Sequence, residues 1–458
     1  NKIVAGLLKE QHTYMPFKSF FDSPENYKNK FDFYDQGGSP HLLQKFIETI
    51  EQQKNDIEEI NISWYLYNNK YLHHYLKKIS ESGIKVNVIT IPLEGYDNTK
   101  PQPLENLETG KKSNDSFTKY SLARQIFSEI YHLKTHPNFN VYFFSHLYVR
   151  SAYINKFSRG SLPYSLHIKS AYIKKKNGFI LLLSSSNLAV RDLVKHESMV
   201  CIEDEPNYEE CAKAFYKNLI GSSTHIKDYN ESLNTSCNSY DKIDFKESGS
   251  IFITSPFYYN SSNILDTRLS KYILSAKERI IICAQHLAAF NYQFNAKHHS
   301  IIKENETRQG VLGAVIYMAN KGVNVTCLSQ TFAPLTEDEN KFKGIKFRRP
   351  ANTSKFQKFY SELTKTKNVQ YFVNENLHSK FILIDNLLIY CSYNFTPTQF
   401  IYLDNVKIPK FKNMPHISYE GIHCEVGMHV VIEDINTVKA FERNIENIKR
   451  EKETIQVK

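Results

Sequence analysis

The chain repeats itself. Val86-Asn87-Val88 follows a helical stretch that ends at Gly83, and Val323-Asn324-Val325 follows one that ends at Gly322. Phe127-Ser128-Glu129-Ile130, then Asn140-Val141-Tyr142-Phe143, returns as Tyr360-Ser361-Glu362-Leu363, then Asn368-Val369-Gln370-Tyr371-Phe372. His167-Ile168-Lys169 returns as His378-Ser379-Lys380, and Ser185-Ser186-Asn187 as Ser392-Tyr393-Asn394. Chance supplies any one such echo. The same series in the same order argues for duplication, and a duplicated chain folds as two like halves.

Each half reads as α/β. In the first, Ser39 as N-cap and Pro40 in the first turn open a helix over residues 40–53. The run from Ile60 to Tyr67 is an apolar, aromatic strand. Residues 71–82 form a helix stopped by Gly83, and residues 84–89 a strand. Strand–helix–strand is the unit of a parallel sheet. A helix over 119–134, a strand over 140–144 and the strand around His167 follow, with polar loops over 92–115 and 150–165. The second half repeats this with a strand over 280–284, a helix over 310–319 and a strand over 323–325. Residues 221–250 are rich in Ser, Asn and Asp and mark a boundary. The expected layout is an N-terminal half over 1–225, a linker over 226–250 and a C-terminal half over 251–458. Each half is expected to be a mixed, mostly parallel sheet flanked by helices. The run 437–452 is an amphipathic helix with Val438, Phe441, Ile445 and Ile448 on its packing face.

The repeated stretches carry chemistry. Phe381 to Ile384 and Leu387 to Cys391 read as two strands joined at Asn386. His378 and Lys380 share a face, as do Ser392 and Asn394 beyond the second strand. An imidazole, an ammonium, a hydroxyl and an amide on one surface suit an anionic phosphoryl group. The first copy offers His167, Lys169, Ser185 and Asn187. In letters, His196-Glu197 stands where His423-Cys424-Glu425 stands, so Glu197 and Glu425 are candidates to orient the histidines. The copies differ at one place: the second has Asp385 where the first has Lys174.

Charge narrows the partner. The net charge is +10, and most of the excess lies in residues 341–367, where nine Lys and Arg face one acid. Lys341, Lys343, Lys346, Arg348, Arg349, Lys355 and Lys358 are interleaved there with Phe342, Phe347, Phe356, Phe359 and Tyr360. Phosphates pair with the bases and nucleobases stack on the rings, so the stretch is a candidate nucleic-acid-binding segment. The competing reading is a solvated basic surface with its rings turned to the core. No apolar run is long enough to span a bilayer, and Asn1 to Glu10 has no signal-peptide pattern. The seven cysteines form no CxxC pair and read as reduced core residues of an intracellular protein, cytoplasmic or nuclear. His132 and His136 are four apart, but no third ligand accompanies them, so no metal site is expected.

The pattern HxKx4D with a following Ser-x-Asn, complete at His378, Lys380, Asp385, Ser392 and Asn394, resembles the signature of the phospholipase D superfamily. The first copy matches it in His167, Lys169, Ser185 and Asn187 and departs from it at Lys174. The resemblance implies two halves packed about a pseudo-two-fold axis with both motifs in one cleft. It implies a covalent phosphohistidine formed by one His, His167 by family analogy, while His378 protonates the leaving oxygen and then activates water. Lys169, Lys380, Asn187 and Asn394 would stabilise the phosphoryl oxygens, without a cofactor or metal. In this family the Asp supports the local fold. The leading expectation is a nuclease acting on nucleic acid, DNA foremost. The alternatives are a tyrosyl-DNA phosphodiesterase-like repair enzyme, a phospholipase or phosphatidyltransferase, and an inactive nucleic-acid-binding protein.

Overall fold

The computed structural model describes residues 15–27, 39–91, 119–132, 136–144, 166–189, 194–229, 249–255, 261–285, 287, 310–330, 341–342, 345–346, 363–392, 394–395, 406–408, 419–421 and 425–457. Two eight-stranded sheets dominate it. The first half contributes β1 (Phe17–Asp22), α1 (Pro40–Gln53), β2 (Ile57–Trp64), α2 (Lys70–Glu81), β3 (Lys85–Thr90), α3 (Lys119–His132) and β4 (Phe139–Phe143). It continues with β5 (Lys169–Lys175), β6 (Phe179–Ser184), β7 (Glu197–Glu203), α4 (Pro206–Gly221) and β8 (Thr224–His225). The second contributes β9 (Ile251–Thr254), α5 (Ser261–Leu274), β10 (Arg279–Ala284), α6 (Gly310–Asn320) and β11 (Asn324–Ser329). After these come β12 (Val369–Val373), β13 (Phe381–Ile384), β14 (Leu387–Cys391), β15 (Gly427–Ile432), α7 (Ile435–Arg450) and β16 (Ile455–Val457).

The strand orders are β1-β7-β6-β5-β2-β3-β4-β8 and β9-β15-β14-β13-β10-β11-β12-β16. Counted along each half, the two orders are the same. The sheets are mixed, but less parallel than expected: only β2-β3-β4 and β10-β11-β12 run parallel. The site strands β5-β6-β7 and β13-β14-β15 are antiparallel neighbours. The turns joining β5 to β6 and β13 to β14 are too short for a crossover, which fixes their direction.

Three apolar cores run through five layers. Helices α1, α2 and α3 cover the outer face of the first sheet, and α5 and α6 cover that of the second. Between the sheets lie α4 and α7, whose Phe215, Phe441 and Ile445 share one core with Leu181, Leu183, Leu383 and Tyr390. The periodicity follows from this. In β6, Phe179, Leu181 and Leu183 enter the central core while Ile180 and Leu182 enter the outer one. A strand covered on both faces is apolar throughout rather than alternating. Phe441 of α7 packs edge-on against Phe21 of the first half and Phe381 of the second, and the Tyr208 hydroxyl donates to the Val431 carbonyl across the seam at 2.5 Å. Ile226 and Tyr229 are buried in the first half's outer core, and residues 230–248 of the expected linker lie outside the described residues.

Local expectations differ in detail. Ser39 precedes α1, but its hydroxyl donates to Asp22 at 2.8 Å instead of capping the helix. Asn69 is the working N-cap of α2, accepting from the Tyr71 and Leu72 N–H groups. The five described cysteines, Cys201, Cys211, Cys283, Cys327 and Cys391, are buried and in no disulfide.

Candidate active site

The two copies meet where the sheets abut. His167 N donates to Val426 O at 3.4 Å, and His378 N donates to His196 O at 3.1 Å. Isolated bridges pair Leu166 with Val426 and His196 with Leu377. Each His-x-Lys entry is therefore stitched by backbone to the entry of the other half's β7 or β15. The Lys169 ammonium donates to His167 O at 2.9 Å, and that of Lys380 to His378 O at 2.6 Å. Both lysines are fully buried.

The carboxylates cross over. Glu197 Oε1 lies 2.8 Å from His378 Nδ1, and Glu425 Oε2 lies 3.2 Å from His167 Nδ1. Each histidine thus takes its carboxylate from the opposite half. Neither Nδ1 meets hydrogen-bond geometry, so these are close carboxylate–imidazole contacts rather than aligned hydrogen bonds. Ser185 Oγ donates to Glu197 Oε2 at 2.5 Å and accepts from Ser198 N at 2.9 Å. Ser392 Oγ accepts from Met428 N at 3.1 Å, the counterpart of that second bond. Asn187 Oδ1 is buried, with no hydrogen-bond partner among the described residues. Asn394 is buried near the end of β14.

The register corrects the letter-by-letter match of the two copies. Ser185 N donates to Ser198 O, and Ser392 N to Met428 O, at 3.0 Å each. Ser198 therefore corresponds to Met428, His196 to Val426, Glu197 to Gly427 and Lys195 to Glu425. The two glutamates reach their histidines from positions two residues out of step. Matching His-Glu strings concealed this; counting back from the paired serines reveals it.

Burial and a shared positive field set the protonation states. Burial pushes His378 well below the usual histidine range, reinforced by the charges of Lys380, Lys195, Lys169 and His167. His167 is lowered by burial and by Lys169, with Glu425 opposing. Burial pulls the Lys380 ammonium down to about 7 against the pull of Glu197. The same burial raises Glu197, with Lys380 and the Ser185 hydrogen bond opposing. An incoming anion would reverse the trend for both imidazoles and for Lys380.

Asp385 lies apart from this group, five residues beyond Lys380 and ~16 Å along the strand. Its carboxylate accepts the N–H groups of Lys277, Glu278 and Arg279 at 2.9–3.1 Å and anchors the start of β10. Lys174, its counterpart, pairs with Glu58 near the start of β2 at 2.7 Å. Sequence reasoning also missed Tyr65, whose ring meets His167 edge-on at 5.6 Å, and Glu451, whose Oε2 lies 2.7 Å from His196 Nε2. The proposed basic segment is mostly out of view. Lys341 and Lys346 face each other across a two-residue ribbon, and Lys343, Arg348, Arg349, Lys355 and Lys358 lie outside the described residues, as do His423 and Cys424. Among the described residues no group of His, Cys, Asp and Glu is spaced to hold a metal, and no helix is long and apolar enough to cross a membrane.

Residues 269–407 match a family model described as cardiolipin synthase, PLD-like domain. No curated protein matches the chain in sequence. Among solved structures, phosphatidylserine synthase of Haemophilus influenzae Rd KW20 is similar with a TM-score of 0.51 at 10% identity, over 96% of this chain and 87% of that one. Polyphosphate kinase of Porphyromonas gingivalis gives a TM-score of 0.48 at 12% identity over 95% of this chain, which spans about half (51%) of that protein. A yeast tyrosyl-DNA phosphodiesterase mutant gives 0.42 at 10% identity, over 90% of this chain and 88% of that one.

Proposed function

We propose that this chain, whose residues 269–407 match a phospholipase D-like family model and whose fold resembles that of phosphatidylserine synthase, is a phosphodiesterase that hydrolyses nucleic acid through a covalent phosphohistidine. The observation that carries the reading is the crossed pair of carboxylate–imidazole contacts, which gathers two His-Lys sets at one seam. With Nδ1 of each ring turned to a glutamate, Nε2 is the nitrogen left for chemistry. His167, the more exposed ring, attacks phosphorus through Nε2 as the bond to the leaving oxygen breaks. That oxygen takes a proton from His378, whose protonation the bound phosphate anion favours. Water then attacks the phosphohistidine, gives its proton to His378 and frees His167. Lys169 and Lys380 neutralise the non-bridging oxygens as charge builds. Nucleic acid is the substrate class favoured by the +8 segment over 341–367.

A second reading has its own support, since the matched family model is described by a lipid-synthesising enzyme. There the same phosphohistidine would pass a phosphatidyl group to an alcohol. Purified protein is to be assayed on a single-stranded oligonucleotide, a 3′-tyrosyl oligonucleotide and phosphatidylglycerol vesicles, with and without EDTA. Oligonucleotide cleavage that survives EDTA and disappears in His167→Ala is the expected result. Phosphatidyl transfer with the oligonucleotide untouched would replace the first reading by the second.

A further inference from the structure

Lys195 occupies the place in the first half that Glu425 occupies in the second, by the register of Ser185 with Ser198 and Ser392 with Met428. From that place Glu425 reaches His167. The same relation sets Lys195 beside His378, and its charge is felt by His378, Lys380 and Glu197. Lys195 is half-buried and makes no ion pair or hydrogen bond among the described residues. Lys380, by contrast, is committed to the His378 carbonyl.

Burial disfavours the Lys380 ammonium, and the charges of Lys169 and Lys195 add to this. An anion between or beside Lys380 and Lys195 relieves it. The reacting phosphoryl group already faces Lys169 and Lys380, one from each half. Each histidine also has one carboxylate, Glu197 beside His378 and Glu425 beside His167, so Lys195 is the charge that breaks the balance, on the His378 side alone.

We propose that Lys195 binds the phosphate next to the scissile one, on the side of the leaving group. This rests on the nucleic-acid reading above and deepens it. The site then takes a polyanion with a preferred direction: the strand continues past His378, where Lys195 stands, rather than past His167. An isolated phosphodiester gains nothing from Lys195 beyond its general field.

The test compares a single-stranded oligonucleotide with bis(p-nitrophenyl) phosphate, which has one phosphodiester and no neighbour. Lys195→Gln is expected to lower kcat/KM on the oligonucleotide about tenfold more than on the small diester. The slope of log(kcat/KM) against log[salt] for the oligonucleotide should fall in magnitude by about 0.7, one phosphate contact on a single strand. Lys195→Arg should restore both. Equal losses on the two substrates, or an unchanged salt slope, would overturn the assignment. Wild-type protein that turns over the small diester and phosphatidylglycerol but not the oligonucleotide would sink the nucleic-acid reading and this inference together. Oligonucleotide cleavage by wild type with Lys195→Gln unaltered would sink this inference alone.

Discussion

The two copies of the site share backbone and differ in how they are held. On the second-half side, His378 is nearly enclosed and sits 2.8 Å from a glutamate that is itself fixed by Ser185. On the first-half side, His167 is 26% exposed in its side chain and 3.2 Å from Glu425. The enclosed ring is the more strongly depressed and feels three lysines. Duplication supplied two equal frames, and side chains then gave them unequal surroundings. Unequal surroundings are what a reaction needs when one imidazole must attack and the other must carry a proton.

The largest expected effect breaks the comparison outright. His167→Asn should lower turnover by more than about 10⁴-fold and leave no adduct, while His378→Asn should lower it by ~10²–10⁴-fold and accumulate a phosphohistidine at His167. Mass spectrometry of acid-free digests reads the adduct, and its appearance in the opposite variant would exchange the roles. Next come the crossed glutamates. Glu197→Gln should cost kcat about 10²-fold and Glu425→Gln about tenfold, because the first contact is shorter and more enclosed. Equal losses would mean that enclosure does not matter.

The smallest effects concern the Asp385–Lys174 asymmetry. Asp385→Ala should destabilise the fold by about 1–2 kcal/mol in a denaturant titration at pH 7, at the low end because water can reach the turn. Lys174→Met should leave the midpoint unmoved, since its pair with Glu58 is open to solvent. The backbone N–H groups hold the Asp385 carboxyl below its usual range. Its stabilisation is present above the ordinary aspartate value and is lost as pH falls through the lowered one. The deficit of Asp385→Ala should therefore vanish in acid.

The duplication and most central elements were legible, because periodicity and repeated strings report local structure. Helix α1 and the strands around Val86 and Phe381 follow from such signals. The edge strands β1, β9 and β16 were not, since their identity depends on which strand they lie against. The crossing of the carboxylates was invisible for the same reason: Glu197 follows β6 in its own half but works on the ring of the other. Lys195 escaped notice because nothing in its neighbours' letters marks a position defined by register. The mostly parallel sheet was overestimated because strand–helix–strand units are easier to read than the hairpin-like β5-β6 and β13-β14 pairs.

The crossing of Glu197 and Glu425 has a consequence for how such a molecule comes into being. If the proposed site is the working one, neither half contains a complete set of groups, and no activity would arise during synthesis until the second half has folded and docked on the first. Once docked, the halves are held at an effective concentration that a separate pair would have to reach by encounter. Two chains that exchanged their C-terminal halves would rebuild two intact sites, each from different molecules. On the proposed function, activity would be a direct readout of docking, and a severed chain would recover it only as a re-formed pair.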